Sequence, residues 1–233
     1  MTIELNKIYN MDCLEFMKTV PDNFFDCIFS DVPYLISTGG STKIAGAMSW
    51  NYKEEKRNGK IFKHNDITEK DYTKPLFRIL KEGGHIYIMT NNMHLANIQK
   101  EMEKEGFIIN NILVMIKENT VVNQHYMKNC EFTIYARKGN QRPLKDCSIN
   151  SAIKASKKNE GKFHDSQKPL EYVKKLIWNS TPENGIVFDP FMGSGTTAIA
   201  CKSLGLNYVG CELDKDYYEI INKRLSQVQG SLF

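Results

Sequence analysis

Three short groups of residues in this chain have types and spacing that could do chemistry. The first is Asp31-Val32-Pro33-Tyr34. It gathers a carboxylate acceptor, a carbonyl held by a following proline and an aromatic ring within four residues. Such a set suits a planar base turned out of its stack: the ring stacks on it, and two oxygens receive its amino hydrogens. The same residues also read as an Asp-initiated turn with a buried tyrosine. The second group is Asp189-Pro190-Phe191-Met192-Gly193-Ser194-Gly195-Thr196-Thr197. Glycines there let backbone approach a ligand closely, and a following helix presents free N–H groups. Glu212 lies 17 residues after Gly195, at the end of the next expected strand, where a carboxylate can accept hydrogen bonds from both hydroxyls of a ribose. Gly193, Gly195 and Ala198 also satisfy G-x-G-x-x-A, so a nicotinamide cofactor stays open, as does a glycine turn that serves packing alone. The third group is His164-Asp165-Ser166-Gln167-Lys168-Pro169. A lysine at such a turn can hold a carboxylate, and Asp165 or Ser166 can cap the helix that follows.

The elements that must position these groups alternate between strand and helix. Apolar runs predict strands over 3–9, 24–30, 85–89, 107–116, 131–136, 186–188 and 208–212. Helical spacing predicts helices over 14–20, 75–80, 93–105 and 196–204. Another starts near Pro169 with Leu170, Val173, Leu176 and Ile177 on one face, and a last one is capped by Asp214 and runs to Val228. Gly83-Gly84, Gly106 and Gly205 read as helix stops. The alternation predicts an α/β fold, a mostly parallel sheet with helices on both faces. Residues 35–70 and 138–163 are polar and basic, and read as insertions in one domain spanning 1–233.

Composition bounds the function classes. A 41% hydrophobic content and 25% charged content are ordinary for a globular protein. No run of about 18 apolar residues suggests a membrane span, and the first ten residues lack a signal-peptide pattern, so a cytoplasmic location is expected. The cysteines at 13, 27, 130, 147, 201 and 211 form no C-x-x-C pair, which argues against a zinc site and a disulfide framework. The net charge is only +4, but it is unevenly spread. Between 137 and 168 there are nine Lys/Arg against three Asp/Glu, and between 43 and 63 six against two. Such stretches attract a polyanion, or are simply solvated loops.

Taken together and in this order, D-V-P-Y, then H-x-x-Q-K-P, then D-P-F-M-G-S-G-T-T, the chain resembles the β class of S-adenosylmethionine (SAM)-dependent DNA amino-methyltransferases. The resemblance runs roughly from Tyr9 to Arg224. It implies a Rossmann-like sheet in circularly permuted order, with the catalytic motif ahead of the SAM-binding motif. That order disfavours the nicotinamide-dependent oxidoreductase, whose glycine loop usually opens the domain. It further implies that Phe191, Gly193 and Gly195 line the SAM pocket, with Asp189 near its methionine end and Thr196 at the helix start. Glu212 would bind the ribose, Lys168 with Gln167 the methionine carboxylate, and Asp12 and Cys13 the adenine. Asp31, Val32, Pro33 and Tyr34 would be catalytic. The usual motif is D-P-P-Y, and Val32 replaces its first proline. Valine keeps the carbonyl but loses the fixed φ, while Pro33 still biases Val32 toward extended geometry.

The resemblance implies methyl transfer to an exocyclic amine of double-stranded DNA, at adenine N6 because the motif opens with Asp. N4 of cytosine is the alternative, as is a catalytically impaired SAM- and DNA-binding module. There is no Pro-Cys pair to supply a thiolate for carbon methylation, and no metal is called for. The two basic stretches are short, so recognition is expected to be of a small site or to need a homodimer. The terminal Gln229, Leu232 and Phe233 fit the Q-x-x-L-F pattern of peptides that bind the bacterial sliding clamp; a tail folded on its own domain fits equally.

Overall fold

The computed structural model describes residues 2–33, 67–118, 126, 129–140, 142–155 and 167–228. Tyr34, most of the 35–70 stretch, 156–163 and Gln229, Leu232 and Phe233 lie outside the described residues. The described elements are, in order, β1 (Lys7–Tyr9), α1 (Cys13–Thr19), β2 (Phe25–Asp31), α2 (Glu69–Ile79), β3 (Leu80–Thr90), α3 (Leu95–Lys104), β4 (Ile108–Lys117), β5 (Cys130–Arg137), β6 (Ala152–Ala155), α4 (Leu170–Ser180), β7 (Ile186–Asp189), α5 (Thr196–Ser203), β8 (Asn207–Cys211) and α6 (Lys215–Gln227). None of these helices is long and apolar enough to cross a membrane.

The strands form one sheet of order β1-β8-β7-β2-β3-β5-β4-β6. Neighbours pair parallel except where β5 meets β3 and β4, so β5 alone runs against the rest. Strand side chains alternate between two faces, and each face has its own helices. Ile28, Ile86, Ile88, Ile134 and Phe188 pack with residues of α1, α2 and α3. Cys27, Phe29, Tyr87, Tyr135 and Val187 pack with residues of α4, α5 and α6. On the first face Phe188 stacks between Phe16 and Phe25, with ring centroids 5.7 and 4.6 Å away. Both faces of the central strands are therefore buried, which is why they read as continuous apolar runs.

Three local expectations are corrected. α2 starts at Glu69, well before the expected 75, and Pro75 lies inside it. Its first turn is polar and is fixed by Asp71, whose carboxylate accepts from the Thr68 amide and hydroxyl, both at 2.8 Å. Gly83-Gly84 do not stop that helix. The chain passes directly into β3 at Leu80, which pairs with Phe25, and Gly83 (φ +73°) lies within the strand against the Asn140 carbonyl. The 138–163 stretch contains a strand, β6, which pairs with β4 and whose one buried apolar residue is Ile153; a single buried position gives no readable period. Asp165 and Ser166, the expected caps of α4, lie outside the described residues; Pro169 holds the N-cap position of that helix.

Two of the basic residues expected to face DNA are structural. Lys138 is buried, and its ammonium donates to Asn23 Oδ1 at 2.8 Å and to the carbonyls of Phe77 and Leu80 at 2.9 and 3.0 Å. Arg142 pairs with Asp26 at 3.0 Å and donates to the Asp26 carbonyl at 2.6 Å. Asp26 also takes Lys81 at 2.9 Å and the Ile186 amide at 3.0 Å. These ties gather at the amino-terminal end of β2, away from the two motif loops. Burial alone would raise the Asp26 carboxyl, but the Ile186 amide, Lys81 and Arg142 together hold it below its ordinary value. A carboxylate depressed in this way stabilises the fold above its unfolded pKa, and that contribution is lost as pH falls through the folded pKa. Asp26→Ala should therefore lower unfolding stability by about 2–4 kcal/mol at neutral pH. Urea titrations should show the gap to the native chain closing below about pH 4, the usual carboxylate range; a gap that does not depend on pH would rule out this role for the charge.

Candidate active site

β2 and β7 lie side by side and parallel, with Cys27 opposite Val187 and Ile28 opposite Phe188. From β7 the sheet continues through β8, and from β2 it continues the other way through β3. This is a switch point of the sheet, and the crevice outside the carboxyl ends of the strands at such a point is where open parallel sheets bind ligands. Asp31 ends β2 and Asp189 ends β7.

The glycine loop is built on Asp189. Its carboxylate accepts from Thr197 Oγ1 at 2.6 Å and from the Phe191 amide at 3.0 Å, fixing the loop's entry and the first turn of α5 together. Burial pushes this carboxyl up to about 7, against the pull of the Thr197 and Phe191 bonds, with Asp31 adding negative charge nearby. Gly193 and Gly195 take φ of +54° and +82°. At Gly195 a Cβ would stand 2.7 Å from Ile221 of α6, so glycine is required there by packing as well. At Gly193 a Cβ would meet only the Phe191 carbonyl, at 3.9 Å, so the loop's outer side is open. The Gly193 amide donates to Glu212 at 2.7 Å, and the Asp214 amide reaches the other oxygen at 2.9 Å. Burial raises the Glu212 carboxyl, with these amides opposing. Arg224 anchors the loop from α6 by donating to the Ser194 carbonyl.

Residues that the sequence did not mark complete this half of the site. The amide of Glu212 donates to the Tyr9 carbonyl at 3.0 Å, and the Asn10 side chain donates to the carbonyls of Glu212 and Leu213 at 2.8 and 3.2 Å. The parallel pairing of β1 with β8 brings them together. Asp12 caps α1 by accepting from the Leu14 and Glu15 amides at 2.8 and 3.1 Å. Cys13 is buried in the core, and burial pushes its thiol up to about 12, so it is an unreactive packing residue. Phe191 meets Tyr72 of α2 edge-on, 5.7 Å between centroids. Thr196 opens α5 and is buried. An open-faced glycine turn beside a carboxylate fits the ribose and chain of SAM.

The other half centres on Asp31. Val32 is buried in the core on the α1 and α2 face, and Pro33 is half-buried beside it. Gln167 and Lys168 are buried at the approach to α4. The Lys168 ammonium lies 2.8 Å from Asp31 Oδ2 and 3.0 Å from Glu131 Oε2, so here it meets two carboxylates of the chain itself. Glu131 in turn takes Lys117 at 2.7 Å. Glu131 and Lys117 escaped the sequence reading; the one signal was an acidic residue within the apolar strand Cys130–Arg137.

The chain is similar to several known proteins. Residues 25–223 match the sequence profile of a family described as DNA methylase, of the N6/N4 type. The chain is 29% identical over 253 residues to the type II methyltransferase M.HinfI of Haemophilus influenzae, covering 97% of this chain and 69% of that one. It is 28% identical over 246 residues to the type II methyltransferase M2.MboI of Moraxella bovis, covering 95% and 88%. Among solved structures, the M1.HpyAVI–SAM complex superposes with a TM-score of 0.71 at 23% identity, covering 94% of this chain and 98% of the other. The cytosine-N4-specific PvuII DNA methyltransferase superposes with a TM-score of 0.74 at 12% identity, covering 98% and 89%. Both superpositions speak to the fold. With the profile spanning both motif loops and the strands beneath them, the chain belongs to the N6/N4 family of SAM-dependent DNA amino-methyltransferases.

Proposed function

We propose that this chain methylates the N6 amine of adenine in double-stranded DNA, with Asp31 as the acceptor that orients the amine. The observation that carries this reading is the position of Asp31: it ends β2 at the switch point, next to the strand whose loop would hold SAM. When bound, SAM supplies an electrophilic methyl group on its sulfonium. The chain's own work is to aim a weak nucleophile at it. An exocyclic amine has its lone pair delocalised into the ring. Hydrogen bonds from that amine to the Asp31 carboxylate and the Val32 carbonyl localise the lone pair and direct it. Tyr34 would stack on the base. On methylation the amine would give up a proton, and the Asp31 carboxylate that orients it would take that proton.

On the cofactor side, Glu212 and the Gly193 amide form the ribose edge, and Asp189 stiffens the loop beneath. Phe191 and Gly195 complete the wall, with Asp12, Cys13 and Asn10 supporting it from α1 and β1. Val32 keeps the carbonyl that the motif needs, and its buried side chain fixes the strand end in place of a proline ring. Adenine is preferred over cytosine because the motif opens with Asp. The 43–63 stretch and Lys157, Lys158 and Lys162 would supply phosphate contacts, Lys138, Arg142 and Lys168 being committed inside.

Three outcomes test this reading. Asp31→Ala should lower turnover by about two to three orders of magnitude, the usual loss of about 2.7–4 kcal/mol for one oriented polar group, while calorimetry still finds SAM bound; near-native turnover would refute the acceptor role. Nucleoside mass spectrometry of DNA from cells expressing the chain should find N6-methyladenine, and N4-methylcytosine in its place would overturn the choice of base. Neutralising a Lys or Arg in 43–63 that touches phosphate should reduce the salt slope of DNA binding by roughly 0.9 per contact. An unchanged slope after neutralising the whole stretch would make it a solvated loop.

A further inference from the structure

Four charged side chains of alternating sign run across the rim of the sheet. Lys117, at the end of β4, lies 2.7 Å from Glu131 Oε1. Glu131, in β5, lies 3.0 Å through Oε2 from the Lys168 ammonium, and Lys168 lies 2.8 Å from Asp31 Oδ2. Register places them. Asp31 pairs with Met89 and Met89 with Thr133, so these three share one level of the sheet. Glu131 stands two residues beyond Thr133 toward the rim, on the same face. Two strand spacings, about 10 Å, separate β5 from β2, so the two carboxylates cannot touch, and Lys168 bridges them over Met89. Below, the Thr133 hydroxyl and Tyr172 hydroxyl lie 2.8 Å apart and close the α4 face.

We propose that Glu131, steadied by Lys117, is a positioning residue for methyl transfer: it fixes the Lys168 ammonium against Asp31 and so sets the direction in which that carboxylate meets the amine. The proposal rests on the reading of Asp31 as the acceptor. Both oxygens of Glu131 are engaged by lysines, which leaves it no part in proton transfer. Burial pushes its carboxyl up, yet Lys168 and Lys117 hold it below the ordinary carboxylate range, so it is a fixed negative charge. Lys168 is only 10% exposed, and a long flexible side chain there needs a second anchor to hold one geometry. With Oδ2 bound to an ammonium held from behind, the Asp31 carboxylate resists rotation. Removing one partner of a buried pair also costs stability, so turnover is to be compared well below the thermal midpoint of every variant.

The test uses the full chain and six variants: Glu131→Gln, Lys168→Met, Lys117→Met, the double variants that join Lys168→Met to Glu131→Gln and to Lys117→Met, and Asp31→Asn. Turnover at saturating SAM and DNA, SAM affinity and the thermal midpoint are measured for each. Glu131→Gln should lower turnover by about ten- to a hundredfold, as small misplacements do, at temperatures where it is fully folded and with SAM affinity near native. Lys168→Met should lose at least as much, and adding Glu131→Gln to it should cost nothing further, because residues that act through one another are not additive. Lys117→Met, at the outer end, should show a smaller loss that also vanishes in the Lys168→Met background. Native turnover in Glu131→Gln, or losses that multiply in the double variant, would overturn the proposal. So would a turnover loss that merely follows the midpoint; if Glu131→Gln does not fold, the Lys117→Met pair of measurements decides. Asp31→Asn separates the two readings: if it keeps full turnover the acceptor reading fails, and if it is inactive while Glu131→Gln is native, only the positioning role fails.

Discussion

Parallel pairing of β2 with β7 places two aspartates at adjacent strand ends, and the site is built outward from that contact. Both carboxylates stand where the chain leaves the sheet in opposite directions. The glycine loop leaves β7 at Asp189, and the first motif begins beside it at Asp31. The order of the motifs along the chain matters little to this geometry. What matters is that β2 and β7 are neighbours and that both are buried on two faces, which leaves neither strand free to shift register.

Two like charges brought so close need separate solutions. Asp189 is fully enclosed, and burial raises its carboxyl to about 7 even as Thr197 and the Phe191 amide hold it. It works as a structural pin for the glycine loop. Asp31 is partly exposed and has an ammonium at 2.8 Å. The first carboxyl is shaped by burial and the second by a counter-charge. Glu212, a third acidic group on the rim, is tied by backbone amides on both oxygens. Three carboxyl groups within one crevice thus have three different environments, and their chemistry differs accordingly.

Lysine and arginine serve unlike purposes at the two ends of the sheet. At the amino-terminal end, Lys138 and Arg142 close off backbone carbonyls and the buried Asp26. At the carboxyl end, Lys117 and Lys168 alternate with Glu131 and Asp31 around the site. The excess of positive charge between 137 and 168 is therefore not all available to a polyanion. Part of it is satisfied within the fold, and a count of charges along the chain cannot see that division.

Legible in the residues alone were the alternation of strands and helices, the two motifs at strand ends, and the capping of α6 by Asp214; that Asp12 caps α1 was not. The legible features are local matters: apolar periodicity, glycine at positive φ and an acceptor before a helix all act within a few residues. The sequence misread 69–74, where a polar capping box starts a helix, and Gly83, where a glycine lies inside a strand, because there pairing with β2 and β5 overrides local preference. Only the tertiary structure decided that Asn10 meets Glu212, that Lys168 is shared between Asp31 and Glu131, and that Lys138 and Arg142 turn inward. Those contacts join residues up to 203 positions apart. Strand order and register create them, and a linear pattern carries no distance between elements that neither pair nor touch until the sheet is assembled.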